Sequence, residues 1–264
     1  MAVIMLASAS GAPGTTTSAL GLALQWPQPV VLVDADRDAP HAITGGYLGG
    51  HHSGRGMMSI LHDTRRQTSL RERLLDHSHH LDTAGEKLLV TGFSQPSASA
   101  LFTAWGALGQ ECAELHHRGY DVLVDAGRVG AAGIPRELVR HADLLVMTAR
   151  STVRSLVGLA AHPPSILETV AETTAACQVG LGIIGPGRPY SGAEVGAHFD
   201  LPVSFELPWA PDHAAVISDA ELPPRRFLTR GYVPALVNAA QALHRAVRHD
   251  VALRGAPKWE QVAG

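Results

Sequence analysis

Three groups of residues in this chain have the types and spacing needed to handle phosphate. The first is the run Ser8–Ser18 (SASGAPGTTTS), which lies between an apolar run, Ala2–Ala7, and a helix-forming run, Ser18–Leu24. A strand, a glycine-bearing loop and a helix in that order present backbone N–H groups to phosphate at a helix N-terminus. The working loop reads G-x-x-x-x-G-K-[ST]. Here Gly14 holds the second glycine position and Thr16 supplies the hydroxyl. Thr15 stands where the lysine belongs, and Ala9 where the first glycine belongs. The expected phosphate-binding residues are therefore Gly11, Ala12, Pro13, Gly14, Thr15, Thr16 and Thr17. The cradle is kept and its cation is missing.

The other two groups are acidic. One apolar run, Val30–Val33, closes on Asp34 and Asp36, and another, Val122–Val124, closes on Asp125, Ala126 and Gly127. Carboxylates directly after a buried strand emerge at its C-terminal edge, beside the first loop. Asp125 can hold Mg²⁺, directly or through water, together with the Thr16 hydroxyl. Asp34 and Asp36 can orient an attacking water near a terminal phosphate. Any single strand-end aspartate also reads as a helix cap or a turn residue. Three such elements in this order and spacing point to a nucleotide site.

The elements that must position these groups alternate along the chain. Short, nearly continuous apolar runs recur at Val3–Leu6, Val30–Val33, Leu88–Val90, Val122–Val124, Leu144–Met147, Val179–Ile184 and Val203–Phe205. Such runs suit strands buried on both faces of a parallel sheet. Helices are expected over Thr16–Leu24, Ala98–His117, Pro135–His141, Val153–Thr173, Ala193–His198 and Val233–Arg248. The pattern predicts an α/β fold, a doubly wound and mostly parallel sheet with helices on both faces, and ligands at the C-terminal strand ends. The glycine-rich stretch Gly45–Gly56 reads as a mobile loop beside that edge. Residues 1–250 are expected to form one domain and 251–264 a tail.

Composition narrows the function classes. Charged residues are only 17% of the chain and the formal net charge is −3, so no global basic field attracts nucleic acid or acidic lipid. Two distant cysteines, Cys112 and Cys177, form no disulfide framework, which favours a reducing, cytoplasmic setting. No apolar run reaches the ~20 residues of a membrane span. The start of the chain lacks the features of a signal peptide. The histidine clusters, such as His51-His52 and His77 to His80, match no zinc spacing and read as solvated side chains.

The chain resembles the ParA/MinD family of deviant Walker-A ATPases. Residues Ser10–Thr17 align to that family's K-G-G-x-G-K-T-T loop, Asp34 and Asp36 to its D-x-D, and Asp125–Gly127 to its Walker B turn. Leu207–Asp212 is similar to its late segment against the adenine, which implies that Pro208 contacts the base. The asparagine that the family often keeps near the base is missing from Gly180–Glu194. In style the loop resembles actinobacterial ParA-like proteins and, more distantly, the TadZ/CpaE pilus-localisation branch. The resemblance implies a P-loop domain, ATP or ADP with Mg²⁺ as cofactors, and a face-to-face homodimer with an unidentified localisation, pilus or secretion partner.

The departures shape the expected activity. The family's signature lysine, which reaches across the dimer, is Ser10 here, and its P-loop lysine is Thr15. Losing one lysine–phosphate interaction removes roughly 1.5–3 kcal/mol from binding, and more where charge moves outward in the transition state. The leading expectation is a nucleotide-responsive or pseudo-ATPase switch that positions or scaffolds a cytoplasmic partner, with slow or absent hydrolysis. One alternative is an active ATPase with a relocated cation, serving partitioning or pilus and secretion localisation. Arg37, Arg128, Arg150 and Arg188 follow strand ends and are candidates for that cation, although each also reads as a surface arginine. The other alternative is a constitutive dimeric scaffold without nucleotide. Basic residues at Arg65, Arg66, Arg71 and Arg73, and at Arg225, Arg226 and Arg230, leave DNA conceivable but favour solvated faces.

Overall fold

A computed structural model describes residues 2–9, 13–38, 42–51, 54–63, 74–93, 96–100, 102–129, 133–173 and 177–255. Its strands are β1 (Val3–Ser8), β2 (Val30–Asp34), β3 (His79–His80), β4 (Lys87–Val90), β5 (Asp121–Arg128), β6 (Leu144–Arg150), β7 (Gln178–Ile184) and β8 (Val203–Leu207). They form one eight-stranded sheet in the order β3-β4-β2-β5-β1-β6-β7-β8. All pairings are parallel except β3 against β4.

The helices are α1 (Thr15–Leu24), α2 (Ala42–Gly45), α3 (Met57–Asp63), α4 (Pro96–Ala100), α5 (Trp105–Glu114), α6 (Arg136–Val139), α7 (Val153–Ala160), α8 (Pro163–Thr173), α9 (Gly192–Phe199), α10 (Pro211–Ser218) and α11 (Tyr232–Gly255). They cover both faces of the sheet. Along β1, Val3, Met5 and Ala7 enter the core under α3, α5, α7 and α8, while Ile4 and Leu6 enter the core under α1 and α11. Successive strand residues point to opposite faces, so a strand buried on both must be apolar throughout. This is why the central runs are nearly continuous, whereas the edge strand β8, Val-Ser-Phe-Glu-Leu, alternates.

Several elements depart from the sequence pattern for local reasons. The helix expected over 98–117 is two helices, because Phe102 turns inward between them. Its ring centroid lies 4.8 Å from that of Trp105 and 5.4 Å from that of Phe93. The helix expected over 153–173 breaks before Pro163 and Pro164, whose rings cannot donate to the preceding turn. The edge strand β3 is two histidines with no apolar signal, held by its backbone pairing to β4. The glycines expected to make a mobile loop are partly packed. A Cβ on Gly46 would lie 1.7 Å from the Ser218 carbonyl oxygen, and one on Gly56 would lie 2.0 Å from the Thr91 hydroxyl. Helix α11 continues past residue 250, where the tail was expected to begin, and residues 256–264 lie outside the described residues. No described helix is long and apolar enough to cross a membrane.

The topology brings the chemistry to one edge. Strand β5 inserts between β2 and β1, so Asp34 and Asp125 sit directly opposite each other, and Leu6 of β1 also pairs with Asp125. On the other side of β1, Ser8 pairs with Thr148 of β6.

Candidate functional site

The first helix opens on Gly14, whose φ of 105° is a left-handed conformation that favours glycine. Ser18 N–H donates to the Gly14 carbonyl at 2.8 Å, closing the first turn. No side chain caps this end, and the first turn carries no acid. The leading N–H groups of a helix have no partner within the helix, and they draw a negative partner. Thr15, Thr16 and Thr17 are the first three helical residues. The loop ahead of them, Ser10, Gly11 and Ala12, lies outside the described residues.

Thr15 and Thr16 face different surroundings. Thr15 is buried, and its hydroxyl lies 2.5 Å from that of Thr148. Thr148 gives its single proton to the Ala7 carbonyl at 3.0 Å. Thr15 is therefore the donor of the shorter bond, and the position that would carry a lysine is tied into the sheet. Thr16 lies beside Asp125, and its hydroxyl helps to ease the charge there.

Asp34, Asp36 and Asp125 come together as buried carboxylates. Asp125 is fully buried, and its Oδ1 accepts the Gly127 N–H at 2.9 Å. Its Oδ2 completes no hydrogen bond. Burial pushes the Asp125 carboxyl up to about 6, against the lowering effects of Thr16 and Gly127. Burial, and then the Asp125 charge, hold Asp34 well above the usual carboxylate range. Asp34 accepts the Asp36 N–H at 3.3 Å, and Asp36 accepts the Asp38 N–H at 2.8 Å. Two glycines make room for the group. A Cβ on Gly92 would fall 2.7 Å from an Asp34 oxygen, and one on Gly127 would fall 2.1 Å from the Asp36 carboxyl carbon.

A cavity of about 440 Å³ opens over this edge. Pro13, Gly14, Thr15, Thr16 and Thr17 form one side of its lining, with Asp36 beside them. Pro208 and Trp209 also line it. Asp34 and Asp125 do not line the cavity. Ser8, the first residue of the loop run, lines it, as do Ser218, Asp219 and Tyr232, which the sequence reading missed. The only signal of these three is proximity to the end of α10 and to the start of α11, which appears once the chain is folded.

The four candidate arginines separate. Arg128 and Arg150 line the cavity. Arg37 donates to the Gly133 carbonyl, and Arg188 lines a neighbouring cavity beyond Trp209. Arg65, Arg66, Arg71 and Arg73 lie outside the described residues, and Arg225, Arg226 and Arg230 lie in the 219–231 connection ahead of α11. Among the described residues, no three histidine, cysteine or acidic side chains converge on one metal position.

No protein-family model matches the chain, and no curated protein matches it. Solved structures do. A ParA family ATPase from Chlorobium tepidum is 16% identical, with a TM-score of 0.67 over 91% of this chain and 98% of that one. MinD from Pyrococcus horikoshii, solved with Mg-ADP, is 16% identical, with a TM-score of 0.65 over 94% of this chain and 98% of that one. A putative plasmid partition protein from Borrelia burgdorferi bound to AMPPNP is 12% identical, with a TM-score of 0.66 over 93% and 98%.

Proposed function

From the premise that this chain has the fold of the ParA and MinD ATPases, we propose that it is a nucleotide-responsive switch that hydrolyses ATP slowly or not at all. The observation that carries the reading is the pair of threonines at the start of α1. Thr16 stands beside Asp125, as a cation-holding hydroxyl should, while Thr15 is short, neutral and bonded to Thr148. Phosphate would meet the uncapped N-terminus of α1 and find no charge from its own loop.

The residues present fit a divalent cation. Asp125 has a buried oxygen without a donor, and burial together with the neighbouring carboxylates raises both Asp34 and Asp125. Mg²⁺ would be held through the Thr16 hydroxyl and Asp125, with phosphate oxygens completing its shell, and it would neutralise phosphate charge. Asp36, on the cavity wall, would orient a water. Asp34, buried behind it, accepts its N–H and fixes the turn. Pro208 and Trp209 form the wall where a base would lie.

The MinD and partition structures similar to this chain were solved with nucleotide, which supports ATP or ADP with Mg²⁺ here. The partner is a second copy of the chain together with an unidentified protein in the cytoplasm. With Ser10 and Thr15 both neutral, ATP bridges two subunits poorly, and the dimer population should change little with ATP–Mg²⁺. Sedimentation with and without nucleotide reads this. A monomer that dimerises tightly only with ATP overturns it.

Calorimetric titration with ATP–Mg²⁺, followed by phosphate release, tests the whole reading. The expected result is binding, with phosphate release no faster than that of Asp36→Asn. Release that is rapid and lost in Asp36→Asn would make the protein a working ATPase. Absence of binding would leave the constitutive scaffold.

A further inference from the structure

The cavity lining carries two guanidinium groups and no ammonium. They stand on different strands. Arg150 closes β6, and its guanidinium carbon lies 4.2 Å from the Trp209 ring centroid, on the side of the Pro208–Trp209 wall. Arg128 closes β5 and is the register partner of Ser8, the last residue of β1, next to the phosphate loop. The Val129 N–H donates to the Ser8 carbonyl at 2.7 Å and pins the backbone there. Gly127, just before it, has a φ of 62° and is covered by the Asp36 carboxylate, so the strand end is fixed against the acidic group. The Arg128 side chain itself is exposed at the cavity. Among the described residues, the ion pairs are Arg136–Glu172 and His244–Asp121, and Arg128 enters neither.

We propose that Arg128 supplies the phosphate chain of a nucleoside di- or triphosphate with the positive charge that Thr15 cannot. This rests on the nucleotide reading above. Phosphate at the N-terminus of α1 would meet the cavity that Ser8, Thr16 and Arg128 all line, with Arg128 the register partner of Ser8. A guanidinium on this strand end can approach the outer phosphate oxygens with two parallel N–H donors. The loop lysine of other proteins is thereby replaced from the neighbouring strand. Arg128 contacts the terminal phosphates and makes no use of the base, so its contribution should grow with the number of phosphates.

The test is calorimetric binding of ATP, ADP and AMP, each with Mg²⁺, to the full chain and to Arg128→Ala, Arg128→Lys and Arg150→Ala. Arg128→Ala should weaken ATP roughly tenfold to a hundredfold, the range of a lost charge-assisted hydrogen bond. It should weaken ADP less and leave AMP within about twofold. Arg128→Lys should recover part of the ATP affinity, and Arg150→Ala should weaken all three alike. Equal losses for the three nucleotides in Arg128→Ala, or no loss, overturn the assignment while the nucleotide reading stands. Failure of the unmodified protein to bind any of them overturns both. Matching denaturant midpoints for the two Arg128 variants and the parent separate lost charge from lost fold.

Discussion

Strand β5 carries a buried aspartate at each end, and the two are treated in opposite ways. At its start, Asp121 is 1% exposed and both oxygens are used. Oδ1 accepts the Ala2 N–H and Oδ2 accepts the Trp26 indole N–H, each at 2.9 Å. His244 lies 3.5 Å from Oδ2 and packs edge-on to Trp26. At the other end, Asp125 is 0% exposed, keeps an oxygen without a donor, and faces Asp34 across the ladder. One carboxylate ties the chain start, α1's end and α11 to the sheet. The other is held in a charged environment that the protein alone does not balance. A buried carboxylate that is fully bonded stabilises, whereas one beside two like charges costs stability until a cation arrives. The difference separates an acid that ties the fold together from one whose charge the protein alone leaves unbalanced.

The comparison can be broken most sharply at Asp121. Asp121→Ala leaves two buried donors unmatched and should cost about 4 kcal/mol in urea unfolding at neutral pH. A loss under about 1 kcal/mol would mean that this cluster is not what anchors β5.

Asp125 should show itself through pH. Its folded carboxyl, raised to about 6, and that of Asp34, also raised, hold protons more tightly than an unfolded chain whose carboxyls titrate near 3.8. Their contribution to stability is present in full below the unfolded value and is lost as pH rises through the folded one. From pH 7.5 down to about 5 the protein without Mg²⁺ should therefore become more stable, by about 1 kcal/mol from Asp125, with Asp34 adding in the same direction. ATP–Mg²⁺ should flatten that dependence. Stability that instead falls over this window without Mg²⁺ would remove the contrast between the two ends of β5.

Asp125→Asn sharpens the same contrast. It keeps the shape, removes the repulsion with Asp34, and should raise stability at pH 7.5 by about 1–2 kcal/mol while abolishing the response to Mg²⁺. Thermal melts with and without Mg²⁺ would read both effects. Destabilisation comparable to that of Asp121→Ala would show that the two aspartates are equivalent after all.

The smallest effect belongs to Thr15. Thr15→Val removes the hydroxyl that donates to Thr148 and should cost about 1 kcal/mol in denaturant unfolding, with ATP affinity unchanged. Thr15→Lys must give up the same bond, yet should bind ATP more tightly. A valine variant that loses ATP would place the Thr15 hydroxyl on the ligand rather than on the sheet.

The sequence by itself determined every described strand but β3, and the edge at which Asp34, Asp36 and Asp125 gather. Val30–Asp34 and Val122–Asp125 announce buried strands ending in acid, and Gly14 followed by three threonines announces a helix start after a loop. These signals are local: period, a glycine with special freedom, a charge where an apolar run stops. Pro163 and Pro164 break the helix expected over Val153–Thr173. The tertiary structure alone decided the rest. That β5 lies between β2 and β1 sets Asp125 opposite Asp34, that Thr148 from β6 captures Thr15, that Trp209 receives Arg150, and that Asp121 meets Trp26 and Ala2 are all pairings between residues far apart in the chain. Strand order and register are set by the sum of core packing over the whole sheet. No short window of sequence contains that sum, so the role of each aspartate on β5 became readable only when both ends of the strand had found their neighbours.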